Sequence, residues 1–132
     1  MEFNLKVGMS YKVELEVELK DTAVSLGSGS VEVLATPRMI ALMENAAMKV
    51  VAADLPEGYS TVGTHLDAKH MAATPIGMKA YAEAELVKVE GKKLTFNIAA
   101  YDEKDKIGEG THTRYIIAVD KFMEKTNQKL DA

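Results

Sequence analysis

The sequence predicts an α+β fold in which one antiparallel sheet wraps a single helix, and three observations carry that expectation. A period-two stretch opens the chain, a long apolar helix follows a Thr-Pro step, and beyond it the periodicity returns to two and stays there. One strand, one enclosed helix and then four strands favour an antiparallel sheet over any βαβ arrangement.

The first element is the clearest. From Tyr11 to Leu19 the odd positions read Tyr, Val, Leu, Val, Leu and the even ones Lys, Glu, Glu, Glu, as a half-buried strand requires. Gly27-Ser28-Gly29-Ser30 then reads as a flexible connection or lid. It is no phosphate loop, because neither G-x-G-x-x-G nor a following Lys-Ser/Thr is present. Thr36-Pro37 opens a helix predicted from about Pro37 to about Ala53, with the Thr36 hydroxyl as a cap for the free amides and Pro37 at the first helical position. At 100° per residue Met39, Met43, Ala46, Ala47 and Val50 fall on one side, Ile40 and Val51 flank them, and Arg38, Asn45 and Lys49 lie opposite. So broad an apolar surface implies enclosure by the sheet. Leu55-Pro56-Glu57-Gly58 ends the helix.

Strands are then predicted over Ser60 to Met71, Lys79 to Val89, Lys93 to Tyr101 and Ile107 to Val119. They are separated by turns at Thr74-Pro75-Ile76-Gly77, Glu90-Gly91 and Asp102 to Lys106. The charged tail from Lys121 to Ala132 is expected to be only partly ordered.

The bulk numbers narrow the function classes. At 132 residues the chain fits one domain, 1–132, and 47% hydrophobic against 27% charged residues argues against disorder. With 20 acidic and 16 basic residues, a formal charge of −4 and no Lys/Arg stripe, nucleic acid is not an expected partner. The absence of cysteine removes disulfides, thiolate nucleophiles and thiolate metal sites together. No basic start leads into an apolar run and no stretch approaches a membrane span of ~20 apolar residues, so the expectation is a cytoplasmic protein without a membrane partner.

Oxygen and nitrogen side chains must therefore carry any chemistry. Glu44 has Ile40, Ala41, Ala47 and Met48 as its helical neighbours and no Lys or Arg among them. A helical Glu can be an ordinary solvated residue, but a carboxylate in an apolar lining tends towards a raised pKa and a function. Strand parity groups His70 with Val62, Thr64, Leu66 and Ala68, and sends His65, Asp67 and Lys69 to the other face. A lone His in such a row is commonly a hydrogen-bonded core residue; opposite Glu44 it becomes half of an acid-base pair. His65 and His70, five apart, face opposite ways, which disfavours a two-His metal site, and no metal is expected. His112 and Arg114 share one face of the last strand. Ser28 and Ser30 lie outside any G-x-S-x-G elbow, and the scattered methionines read as core filling.

Together these residues resemble the fluoroacetyl-CoA thioesterase-like branch of the hot-dog superfamily. That pattern has a Thr just before the central helix, a Glu eight residues later and a His twenty-six further on, ahead of Ala-Ala-Thr-Pro. This chain reads Leu34-Ala35-Thr36-Pro37, then Met43-Glu44-Asn45-Ala46-Ala47, then His70-Met71-Ala72-Ala73-Thr74-Pro75-Ile76-Gly77, with both spacings kept. The likeness continues through Val89-Glu90-Gly91 and through Ile107-Gly108-Glu109-Gly110-Thr111-His112-Thr113-Arg114, and so covers the chain from first strand to last.

The resemblance implies a hot-dog homodimer with its two sheets joined edge to edge, active sites at the seam, and coenzyme A entering as part of an acyl-CoA substrate rather than as a cofactor. It implies Thr36, Glu44 and His70 as the catalytic residues, the Gly63 amide as holder of the thioester oxygen, and Arg114 as a shaper of the acyl pocket. Glu44 either attacks directly or activates water, and His70 serves the leaving thiolate. The family's selective member gates its pocket with bulky aromatics. Val24 to Ser30 contains none, so a short or medium acyl group other than fluoroacetyl is expected. Two alternatives stay open: a non-catalytic acyl-CoA or small-ligand binding module, and an enoyl-CoA hydratase or dehydratase, against which the missing Asp/His pairing of that branch counts.

Overall fold

The computed structural model describes residues 3–131. Its five strands are β1 (Ser10–Glu16), β2 (Tyr59–His70), β3 (Lys79–Glu90), β4 (Lys93–Asp102) and β5 (Lys106–Ala118). The helices are a single turn, α1 (Ala23–Leu26), the long α2 (Thr36–Ala52) and a C-terminal α3 (Val119–Asn127). All pairings are antiparallel, in the order β1-β3-β4-β5-β2. The long helix α2 lies across one face of this sheet against β1, β2, β3 and β4, which is the hot-dog arrangement.

Hydrophobic patterning explains the layering. Met39, Leu42, Met43, Ala46, Ala47, Val50 and Val51 of α2 are buried against Ala80, Ala82, Ala84 and Leu86 of β3 and Leu94, Phe96, Ile98 and Ala100 of β4. Burial of each large side chain in that set contributes about 1.5–3 kcal/mol. Small residues set the spacing: a methyl added to Gly108 of β5 would meet the Met39 Sδ at 2.7 Å, so the helix rests almost on the strand.

The expected strand boundaries hold within a residue or two, except that β1 stops at Glu16. There the Glu18 amide bonds the Asp21 carboxylate at 2.9 Å and a 3-10 turn, Leu19–Asp21, takes over. Asp21, buried, also accepts from Arg38 Nε at 3.0 Å and fixes that turn to the start of α2. The turn after β4 is held by Asp102, which accepts from the Thr74 hydroxyl and from the Lys104 and Asp105 amides.

Three expectations need correction. Helix α2 begins at Thr36, its N-cap is Ala35 without any side-chain bond, and the Thr36 hydroxyl points elsewhere, to His70. The strict alternation expected for β2 is interrupted by a bulge between Gly63 and His65. Beyond it Leu66, Ala68 and His70 are half-buried as expected; before it Thr61 is the buried residue, and Thr64 is exposed. The extra residue shifts the strand by one and exchanges its faces. The tail is also more regular than its charge suggests, since α3 and the 3-10 turn Gln128–Leu130 continue the chain, with Phe122, Met123 and Leu130 exposed. Among the described residues no helix is long and apolar enough to cross a membrane.

Candidate functional site

The residues singled out in the sequence form two groups on the inner side of the sheet. At the first, the start of α2 meets the end of β2, where Thr36 Oγ1 and His70 Nδ1 lie 2.6 Å apart. The other ring nitrogen, His70 Nε2, is buried and has no hydrogen-bond partner among the described residues. Burial pushes the His70 pKa below the ordinary 6.5, opposed in part by the Ala72 backbone. At physiological pH the ring is therefore neutral and has one nitrogen uncommitted.

The second group surrounds Glu44, two turns further along α2. Glu44 is half-buried, and the ion pairs among the described residues (Lys20–Glu18, Arg38–Asp21, Lys88–Glu90 and Lys106–Glu109) leave it out. It faces Gly63 of β2 and His112 and Arg114 of β5. A methyl built on Gly63 would meet His112 Cε1 at 2.9 Å, Glu44 Oε2 at 3.2 Å and Arg114 Nη1 at 3.4 Å. Only a glycine admits the three side chains this close to the backbone. The neighbouring bulge is the usual device for turning strand amides out of the ladder beside a site.

Arg114 is 7% exposed and held by three bonds. Its Nε donates to Thr61 Oγ1 at 2.8 Å, Nη2 to the Thr61 carbonyl at 2.9 Å and Nη1 to His112 Nε2 at 3.1 Å. Burial lowers its pKa and the Glu44 charge opposes that. A guanidinium has five N–H donors, so three bonds leave two for a ligand. His112 is 1% exposed, and its Nδ1 lies 2.7 Å from the His65 carbonyl. Burial, helped by the Arg114 charge, lowers its pKa from 6.5.

Thus Thr36 meets His70, while Glu44, Gly63 and Arg114 meet one another. Within one chain the two groups have separate neighbours. Sequence reading placed His112 and Arg114 on one face but gave His112 no role; its alternation with Arg114 in β5 was the available signal. No cluster of three or more His, Asp or Glu suited to a metal ion occurs among the described residues. The prominent hollows lie elsewhere. One of about 620 Å³ is lined by residues including Glu83, Glu85, Asn97 and Glu109, on the outer face of the sheet, where solvated charges give a ligand little to desolvate.

A chain arranged in this way can polarise a carbonyl, hold an oxyanion and move a proton, and known proteins share its whole architecture. The model of a family described as fluoroacetyl-CoA-specific thioesterase matches residues 17–120. A fluoroacetyl-CoA thioesterase of Streptantibioticus cattleyicolor is 43% identical over 101 residues, 76% of this chain and 73% of that protein. A solved structure of a fluoroacetyl-CoA thioesterase superposes with a TM-score of 0.91 at 36% identity, covering 96% of this chain and 98% of the other. A mutant fluoroacetyl-CoA-specific thioesterase in complex with fluoroacetate and CoA gives 0.84 at 36%, covering 89% and 99%.

Proposed function

Because the chain belongs to the fluoroacetyl-CoA-specific thioesterase family, we propose that it hydrolyses a short or medium acyl-CoA thioester to the free acid and coenzyme A, with Thr36, Glu44 and His70 as its catalytic residues. The observation that carries this reading is Glu44, a half-buried carboxylate outside every ion pair among the described residues, facing the Gly63 backbone and the spare donors of Arg114.

In this scheme the thioester carbonyl lies against Gly63, whose amide and the Arg114 guanidinium meet the oxyanion as it forms. Such a donor is worth roughly 3 to 4 kcal/mol. Glu44 takes a proton from water, the resulting hydroxide adds to the carbonyl carbon, and the carbon–sulfur bond breaks as the carbonyl re-forms. With its proton on Nδ1 and donated to Thr36 Oγ1, the neutral His70 ring offers the Nε2 lone pair, which takes up the proton held by Glu44 and passes it to the departing thiolate, leaving both groups as they began. Coenzyme A is part of the substrate, and no other cofactor is required by these steps.

The working unit in this reading is a homodimer. Strand β2 is a sheet edge twelve residues long, and a long unpaired edge is a liability that a second β2 removes. Such pairing would join the two sheets beside Gly63 and His70, which supports a site shared between subunits and completed by the second copy. The chain as a cytoplasmic single domain is part of the same proposal.

The test is thiol release from acetyl-, butyryl- and hexanoyl-CoA, run on protein whose solution mass is measured by light scattering. Two chains per particle and turnover of at least one thioester are expected, with Glu44→Gln lowering kcat by about 10²- to 10⁴-fold while the fold is kept. Unchanged turnover in that variant would remove Glu44 from the mechanism. Thermal stabilisation by acyl-CoA without thiol release would instead identify a binding module.

A further inference from the structure

The cluster around Glu44 contains one residue that the proposed chemistry leaves unused. We infer that His112 is a positioning residue, a neutral imidazole that ties the Gly63–His65 bulge to the Arg114 guanidinium and so sets both against Glu44. The inference rests on the thioesterase reading for its catalytic consequence and on hydrogen-bond geometry for its structural content.

The partners dictate the tautomer. A carbonyl oxygen only accepts, so the nitrogen 2.7 Å from the His65 carbonyl, Nδ1, carries the proton. A guanidinium only donates, so Nε2, 3.1 Å from Arg114 Nη1, presents a lone pair. Those two requirements are satisfied together by one species, the Nδ1–H neutral ring. Protonation would aim an N–H of Nε2 at an N–H of Arg114 and break the second tether.

Each tether reaches a different part of the site. His65 is the residue at which pairing with β5 resumes after the bulge, so the first bond holds the irregular backbone that frees the region of Gly63. The second completes the set that Thr61 begins, restraining the guanidinium on all three of its nitrogens. The ring also packs edge-on to Gly63, its Cε1 lying 2.9 Å from where a methyl would stand. The charged and titratable groups facing it are Arg114 on its own strand, Glu44 from α2 and His65 from β2. Because its two nitrogens are occupied and it is almost wholly buried, His112 does not touch a substrate; it acts through Arg114 and Gly63.

Two measurements test this on the full chain. Histidine ring nitrogen NMR at about pH 7 is expected to give His112 the neutral Nδ1–H pattern; an Nε2–H tautomer or an imidazolium at that pH would overturn the inference, whatever the enzyme does. In kinetics with the same acyl-CoA panel, His112→Leu fills the space without either bond and is expected to lower kcat by about 10- to 100-fold with KM within about threefold. His112→Gln, whose side-chain oxygen can accept from Arg114, is expected to recover most of that loss. Equal rates for wild type and both folded variants would refute the positioning role. A wild type that releases no thiol from any thioester would refute the thioesterase reading instead, leaving the NMR result to decide the tautomer. Should His112→Leu fail to fold, His112→Ala takes its place, with the same loss expected and the same equality of rates refuting the role.

Discussion

The two ends of the site are built from the same parts, a strand histidine and a partner from across the fold, yet they are finished differently. At Thr36 and His70 one ring nitrogen is bonded and the other is buried with no partner among the described residues. At His112 both nitrogens are committed, one to a carbonyl and one to a guanidinium. Burial depresses both rings below the ordinary histidine pKa of 6.5, so charge does not distinguish them; valence does. The open nitrogen is fit to exchange a proton, and the closed ring is fit to hold other groups still.

The backbone at Gly63 is where a single change does most damage. Gly63→Ala would drive a methyl into His112, Glu44 and Arg114 at once, and the ring contact at 2.9 Å demands movement. Activity should fall by about 10²-fold or more and stability by about 1–3 kcal/mol, the range for overpacking a fitted site. Thioester turnover beside urea denaturation measures both, and an unaffected rate would mean that the close approach at Gly63 is irrelevant to the chemistry.

A finer probe separates orientation from capping at the other end. Since Thr36 bonds His70 rather than the helix amides, Thr36→Ala should cost about tenfold in kcat and about 1 kcal/mol in stability, with Thr36→Ser restoring both and with no stability loss when the change is made in a His70→Ala background. A loss near 1 kcal/mol that persists in the His70→Ala background would reinstate the capping role read from the sequence.

The smallest effect is on pH. With both folded-state values below 6.5, the unfolded chain binds more protons than the folded one between those values and 6.5, so stability falls on acidification through that window. The melting temperature should be nearly level from about pH 8 to about pH 7 and decline below about 6.5, with a shallower decline in His112→Gln. A melting temperature that climbs on acidification would invert the sign and show rings stabilised in their charged form.

Much of this was legible in one dimension. Alternation located β3, β4 and β5 because most of each strand keeps one face buried, although β3 slips register between Leu86 and Lys88 and the β4–β5 pairing between Ala100 and Tyr101, and the breadth of apolar surface on α2 announced its enclosure. The lack of a basic residue among the helical neighbours of Glu44 was visible in the sequence, whereas the basic group it does face, Arg114, comes from a distant strand. What escaped depended on pairing. The bulge in β2 is a property of its register with β5, so residues on the near side of Thr64 were assigned to the wrong face while Leu66, Ala68 and His70 were assigned correctly. His112 went without a role because its first partner, the His65 carbonyl, lies 47 residues away in sequence and is a backbone group that no residue type advertises. Thr36-Pro37 was ambiguous for a different reason: a hydroxyl at a helix start suits either local amides or a distant ring, and only the arrival of His70 decides.

The irregularity in β2 has a bearing on how this protein could be recombined with its relatives. The strand is two half-strands of opposite parity joined at one residue, so a chimera that exchanges the segment on only one side of Thr64 for a version lacking the extra residue would turn every side chain beyond the junction inside out. Crossover points belong in the loops on either side, with the whole strand inherited as a single cassette.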